Sequence, residues 1–440
     1  MIWLFTRTAV LGAAITATLA FASPLRAEVA IQEVTSPGGL TAWLVEEPSI
    51  PFVALEIRFK GGTSLDPAGK RGAVNLMTGL IEEGAGDLDA RSFAESREAL
   101  AADFSFSAYD DAIAISARML TENRDEAVAL LRAALITPRF DQDAIDRVRQ
   151  QVLSAIRSDA KDPNSIASSR FDALAFGDHP YGTNPDGTEA SVTTLTRADI
   201  QAVHRGALTR DRLFIGASGD ITAPELAQLM DDLLGDLPAT GLPMPDAVTP
   251  RFDGGLDLVP YDTPQSVALF GHAGLPREDP DFFAAFVLNH IFGAGGFESR
   301  LMTEVREKRG LTYGISTYLV AKDHAALYLG QVASANDRMA EAIDVIRAEW
   351  RALAETGVTA QELHQAQTFL TGAYPLRFDG NDAIAGIMVG MQMDDLPIDY
   401  IKTRNDKVRA VTVDDITRTA QRLLDPDALT FVIVGQPEGL

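Results

Sequence analysis

The sequence predicts an α+β protein built from two homologous halves, each a mostly antiparallel sheet packed with helices. Three observations carry this. Strand-like and helix-like segments share each half without strict alternation, which argues against a doubly wound parallel sheet. The second half repeats the first at a near-constant offset. A stretch rich in proline and glycine separates them.

Within the first half, residues 40–46 and 53–59 are apolar and β-branched, as strands are. Residues 72–81 and 92–102 carry helical patterns. Residues 112–119 alternate like a half-buried strand, and 124–135 return to helical spacing. In the repeat, Val53-Ala54-Leu55 before Asp66-Pro67 is matched by Val267-Ala268-Leu269 before Asp279-Pro280. Glu126-Ala127-Val128 is matched by Glu341-Ala342-Ile343. Between the halves, three prolines and a glycine within 238–245 interrupt regular structure. The expected domains are therefore 28–240 and 251–440, with 241–250 as linker.

The chain has 440 residues, 46% of them hydrophobic, and a formal net charge of -24. An acidic surface repels phosphate backbones, so no nucleic-acid partner is expected. With no cysteine, disulfides, iron–sulfur clusters and cysteine zinc sites are excluded together. Arg7 followed by the apolar run 9–21 has the anatomy of a signal peptide and falls short of the ~20 residues of a spanning helix. Cleavage is expected after Ala27, with Ala22 as a second option. The expected location is the periplasm, with no stable membrane insertion after residues 1–27 are removed.

Several stretches then resemble the pitrilysin/insulinase metallopeptidase family. Gly62-Thr63-Ser64-Leu65-Asp66-Pro67 through Gly72 resembles the entry to that family's zinc helix. Asp178-His179-Pro180-Tyr181-Gly182 resembles one of its turns. Phe297-Glu298-Ser299-Arg300-Leu301 through Glu307-Lys308-Arg309-Gly310-Leu311-Thr312-Tyr313 is similar to its C-terminal signature, and residues 430–435 match its closing strand. The likeness spans most of residues 30–438. It implies that the chain is one half of a clamshell.

Active members of the family carry His-x-x-Glu-His on a helix. Histidines at i and i+4 share one face and reach one zinc ion, while the glutamate takes a proton from the metal-bound water. A glutamate further along completes the ligands. The matching positions here are Asn75, Thr78, Gly79 and, for the downstream glutamate, Ala155. An amide is a weak zinc ligand, threonine is no base, and glycine has no side chain. No carboxylate occurs from residue 147 to 157. The resemblance thus implies a vacant zinc site, no metal bound by this chain, and no catalytic residues of its own.

The six histidines lack helical metal-site spacing, although a composite site remains open at this level. Glu82 and Glu83 are expected at a solvated helix end. The glycine-rich 292–297 lacks the lysine and spacing of a nucleotide loop. It is either a flexible connection or, by the resemblance, a contact to the substrate chamber. Arg306 and Tyr313 stand seven apart within the C-terminal signature. The resemblance implies that they hold substrate backbone opposite a zinc ion, since both side chains donate hydrogen bonds to a carbonyl or oxyanion. The chain is therefore expected to be the non-catalytic subunit of a zinc-dependent peptidase, pairing with a zinc-bearing homologue in a heterodimer that hydrolyses peptides, with the zinc in the partner. The rival reading is a peptide-binding or assembly protein with no role in hydrolysis.

Overall fold

A computed structural model describes residues 29–440. The expected leader, 1–27, lies outside the described residues. The first half runs β1 (Gln32–Thr35), β2 (Thr41–Glu46), β3 (Phe52–Lys60), α1 (Ala73–Thr78), β4 (Gly84–Ala85), β5 (Leu88–Asp89), α2 (Ala90–Ala99), β6 (Asp103–Ala108) and β7 (Ala112–Leu120). It continues with α3 (Arg124–Ile136), α4 (Gln142–Asp159), α5 (Pro163–Phe176), α6 (Glu189–Thr194), α7 (Arg197–Ala207), β8 (Leu213–Gly219) and α8 (Ala223–Leu234). The segment 241–250 has no helix or strand. The second half contains β9 (Gly255–Pro260), β10 (Gln265–Ala273), α9 (Phe282–Asn289), β11 (Ile315–Ala321), β12 (Ala326–Ala335) and α10 (Met339–Thr356). It ends with α11 (Ala360–Ala373), α12 (Asn381–Met393), α13 (Tyr400–Ala410), α14 (Val413–Leu423) and β13 (Thr430–Gly435).

The fold class is α+β, and the two sheets share one topology. The first is ordered β1-β2-β8-β3-β7-β6 and the second β11-β12-β10-β13-β9. Reading the second backwards superposes β3 on β10, β7 on β12 and β8 on β13. In each sheet the single parallel pairing is the equivalent one, β2 with β8 and β9 with β13. The repeat legible in the sequence is thus a repeat of strand order.

Two elements differ from the sequence reading. The helix expected over 72–81 ends at Thr78. The helix expected over 92–102 begins at Ala90, where Asp89 caps the Ser92 N–H (2.8 Å), and stops before Ala101, whose φ is +47°.

Each sheet buries one face under its own helices. Val53, Leu55, Ile57 and Phe59 of β3 join α1, α3, α7 and α8 in one core. Phe270, Tyr328 and Phe431 join α9, α10 and α14 in another, around Trp350. The opposite faces are covered by exchange. From the first half, α5 lays Ala167, Phe171 and Ala175 against Leu269, Leu329, Val432 and Val434 of the second sheet. From the second half, α12 packs on β3 and β8. There the contact is close and polar. A Cβ on Gly216 would sit 2.6 Å from the Ala385 carbonyl oxygen. Gln392 Nε2 donates to the Ile215 carbonyl (2.8 Å), and Arg118 pairs with Asp382. Residues 31–440 accordingly form one compact unit.

The halves also meet through equivalent hairpin turns, β6–β7 and β11–β12. Lys322 pairs with Asp110, and Lys60 with Asp323 at 3.5 Å. Asp111 accepts the Tyr181 hydroxyl on one oxygen and the Asp323 N–H (3.2 Å) on the other. Asp172 of α5 lies near this cluster, with Lys322 and Asp110 as its charged neighbours and Tyr318 beside it. Burial pushes the Asp172 carboxyl up to about 6, against the pull of Lys322.

A raised carboxyl pKa means that the folded chain holds a proton which the unfolded chain has lost. Asp172 therefore removes stability as pH rises from about 4 to about 6. The urea midpoint of Asp172→Asn, which cannot ionise, is expected to fall less than that of the parent across this window. The variant should also gain more over the parent at pH 7 than at pH 4. Parallel pH profiles for the two proteins would contradict this.

Candidate functional site

The loop before α1 is held by buried charge. Asp66 accepts the N–H of Gly72 (2.7 Å) and Val74 (2.8 Å), satisfying the first turn of the helix. Burial nevertheless lifts its carboxyl to about 6. Arg71 pairs with Asp66 (3.4 Å) and donates to the carbonyls of Thr183 (3.0 Å) and Asn184 (3.1 Å), so the loop and the segment after the Asp178–Gly182 turn form one frame. Gly72 has φ +89°, and a Cβ there would meet the Asp186 carbonyl oxygen at 2.4 Å, so only glycine fits.

None of the three motif positions on the helix in that frame carries a histidine or a carboxylate. Asn75 is half-buried. Thr78 is buried, and its hydroxyl donates to the Val74 carbonyl (2.9 Å), a bond made within the helix. Gly79 is exposed and ends α1. Helix α4 lies alongside, and Val148 Cγ1 stands 3.3 Å from where a Gly79 Cβ would be. Ala155 is exposed, seven residues further along α4. Glu82 and Glu83, expected at a solvated helix end, are half-buried and tied to Arg97 and Arg147. Among the described residues, no group of three or more His, Asp or Glu side chains is placed to hold a metal ion.

His179, His204, His272 and His324 have structural partners. His204 Nε2 donates to the Leu135 carbonyl (2.9 Å). His272 Nδ1 donates to the Ala273 carbonyl (2.8 Å), and Nε2 accepts the Trp350 indole N–H (3.1 Å). His179 Nδ1 accepts the Tyr181 N–H (3.2 Å), and Nε2 donates to the Asp246 carbonyl (3.1 Å), so it joins the turn to the segment 241–250. Its ring centroid lies 6.3 Å from that of His324, a pairing across the halves that sequence spacing does not reveal. Burial lowers the pKa of all four imidazoles, favouring the neutral form.

The C-terminal signature is tied down by hydrogen bonds except where it faces solvent. Arg300 grips Glu362 of α11 through two bonds (2.6 and 2.8 Å) and the Gly357 carbonyl through a third (3.0 Å). Glu304 accepts Lys308 (2.6 Å) and Arg309 (2.7 Å), which assigns Arg309 to local structure. The Thr312 hydroxyl donates to the Ala333 carbonyl (2.6 Å), and Ser334 Oγ donates to the Leu311 carbonyl (2.5 Å). These bonds fix the backbone just before Tyr313, and the Gly314 N–H donates to Thr312 Oγ1 (3.0 Å) just after it, while Tyr313 itself is 86% exposed. Arg306 lies 4.6 Å over the ring of Phe297, itself 64% exposed.

Phe297 and Gly314, the neighbours of Arg306 and Tyr313, line one cavity of about 490 Å3. Its walls include Gly293 and Gly296 of the glycine-rich stretch, and Asn164 and Ser168 of α5. That stretch is a π-helical turn, His290–Ala294, followed by a tight turn at Gly296–Glu298. The sequence reading missed Phe297 as the platform under Arg306. It also missed the contribution of α5, because no local pattern announces a helix supplied by the other half.

Two family profiles match the chain. Residues 42–186 match the insulinase family, peptidase family M16, and residues 194–370 match the peptidase M16 inactive domain. The chain is 26% identical over 395 residues to the non-peptidase homologue YmxG of Helicobacter pylori, covering 88% of this chain and 90% of that one. It is 26% identical over 396 residues to an uncharacterized zinc protease of Mycobacterium leprae, covering 89% and 88%. Among solved structures, it matches a peptidase M16 inactive domain from Pseudomonas fluorescens with a TM-score of 0.86 and 26% identity, covering 92% of this chain and 98% of that one. A protease from Helicobacter pylori matches in fold, with a TM-score of 0.83 at 18% identity over 92% and 99% of the two chains. With matching profiles across both halves and the same architecture, the chain belongs to the M16 insulinase family.

Proposed function

We propose that this chain is the non-catalytic subunit of a zinc-dependent periplasmic peptidase. It pairs with a zinc-bearing homologue, closes the chamber as half of a clamshell, and offers Arg306 and Tyr313 to the peptide bound there. The observation that carries this reading is a contrast between its two halves. The zinc-helix frame of Asp66, Arg71 and Gly72 is intact around Asn75, Thr78 and Gly79, which cannot do the chemistry. The C-terminal signature instead holds Tyr313 out into solvent on a pinned backbone.

Overall identity does not separate the roles, since a non-peptidase homologue and a zinc protease are equally similar to this chain. The residues at the motif positions favour the non-catalytic role. Strand β11, which follows Tyr313, is an edge of its sheet, so its outer backbone groups can pair with an extended peptide. The partner then supplies the metal, and the reaction is metal-assisted peptide-bond hydrolysis. If Arg306 and Tyr313 only hold peptide, the same surface serves a binding or assembly protein with no role in hydrolysis.

The test is kinetic. The isolated mature chain is expected to hold no stoichiometric zinc and to cleave no peptide. A tightly held zinc lost together with activity on chelation would refute the proposal. In the mixed complex, Arg306→Ala and Tyr313→Phe should each lower kcat/KM by roughly a hundredfold, the effect of about 3 kcal/mol from one transition-state donor, while assembly on size exclusion is unchanged. Full kcat/KM in both variants would assign the pair to structure. A rise in KM at constant kcat would assign it to binding alone. Export is checked by sequencing periplasmic material: Glu28 is the expected first residue, and Met1 would overturn the location.

A further inference from the structure

A second cavity, of about 680 Å3, lies between α9, α12 and α13, and the proposed function makes no use of it. One wall is Phe282, Phe283 and Phe286 of α9. The facing wall is α12, which presents Gly386 and Gly390. A Cβ at either glycine would meet nothing within 4 Å, so the space in front of them is open. The other face of α12 presses Ala385 and Val389 onto Gly216 of β8. The helix is thus packed on one side and hollow on the other.

The charge of this cavity is out of keeping with the chain. Against a formal net charge of -24, the lining holds Arg277, Arg377 and Arg404 and one carboxylate, Asp394. Arg277 Nε stands 3.6 Å from Asp394, and Nη2 donates to the Tyr400 hydroxyl (2.8 Å). Arg404 is only 6% exposed. It lies 4.6 Å over the Tyr374 ring and 5.2 Å over Phe286, and Nη1 donates to the Leu370 carbonyl and Asn405 Oδ1, both at 2.9 Å. Among the described residues, no carboxylate pairs with it. Arg377 is exposed at the rim, also without an ion pair among them. A buried guanidinium supported only by neutral acceptors and rings retains a large unmet demand for an anion. The planar fork of arginine suits carboxylate.

We propose that this cavity binds an organic carboxylate with an apolar body. The carboxylate meets Arg404 and Arg277, and the body lies along the phenylalanine wall in the space before Gly386 and Gly390. Free phosphate would leave that apolar space unfilled. A small aryl or acyl acid and a peptide C-terminus ending in an aromatic residue share the required chemistry.

The test is calorimetric titration of the mature chain with 4-phenylbutyrate, 4-phenylbutanol and inorganic phosphate. N-acetyl-alanyl-phenylalanine and its C-terminal amide form the peptide arm. A carboxylate probe is expected to bind below about 1 mM, and its neutral counterpart and phosphate at least about tenfold more weakly. Preference for the acetylated dipeptide over phenylbutyrate identifies a peptide C-terminus, and the reverse a small acid. Arg404→Met should cost at least about tenfold in affinity. Because that change touches the fold, Gly390→Leu is the second variant. Its Cβ enters open space on the cavity side of the helix, so it should abolish binding while the melting temperature is kept. Equal binding of acid and alcohol, unchanged binding by Gly390→Leu, or no binding of any carboxylate up to about 10 mM would each overturn the proposal.

Discussion

The structure depends on a reciprocal exchange of helices. A five- or six-stranded sheet with helices on one face leaves the other face to be covered. Here each half covers the other: α5 shields the second sheet, and α12 shields the first. Fully burying a side chain such as Phe171, at 0% exposure, contributes roughly 1.5–3 kcal/mol from transfer alone. That contribution exists only while the second sheet is folded beneath it. The two halves are therefore repeats in topology and one body in energetics.

The two covered faces are not chemically alike. Under α5 the second sheet is apolar, with Leu269, Leu329, Val432 and Val434. Under α12 the first sheet is small and polar: Gly216 lets the helix backbone close in, Ser218 accompanies Asn381 at 3.2 Å, and Gln392 takes a strand carbonyl. Such contacts depend on fit and direction more than on area. They set where α12 lies, and with it the glycine wall of the arginine-lined cavity.

Much of this was legible in the sequence because it rests on local pattern. Alternation over 112–119 became β7, the run 430–435 became β13, and the near-constant offset between halves became a shared strand order. The zinc-helix positions could be named because Asp66 and Gly72 mark the loop before them. What was not legible comes from chain distance. Nothing near Asn164 or Ser168 indicates that α5 walls a cavity of the other half. Nothing near Phe297 indicates that Arg306 lies over it. The ion pair of Glu82 with Arg97 and that of Glu83 with Arg147 likewise depend on packing that no periodicity encodes.

The central claim is that the exposed Tyr313 of this chain meets peptide inside a chamber completed by a zinc-bearing homologue. The most direct measurement is photocrosslinking with benzoylphenylalanine at position 313, using a labelled peptide that the complex cannot cleave. The account predicts a crosslink to the peptide when the homologue is present, and its loss when excess unlabelled substrate competes. A crosslink that ignores competition, or none to peptide in the assembled complex, would contradict it.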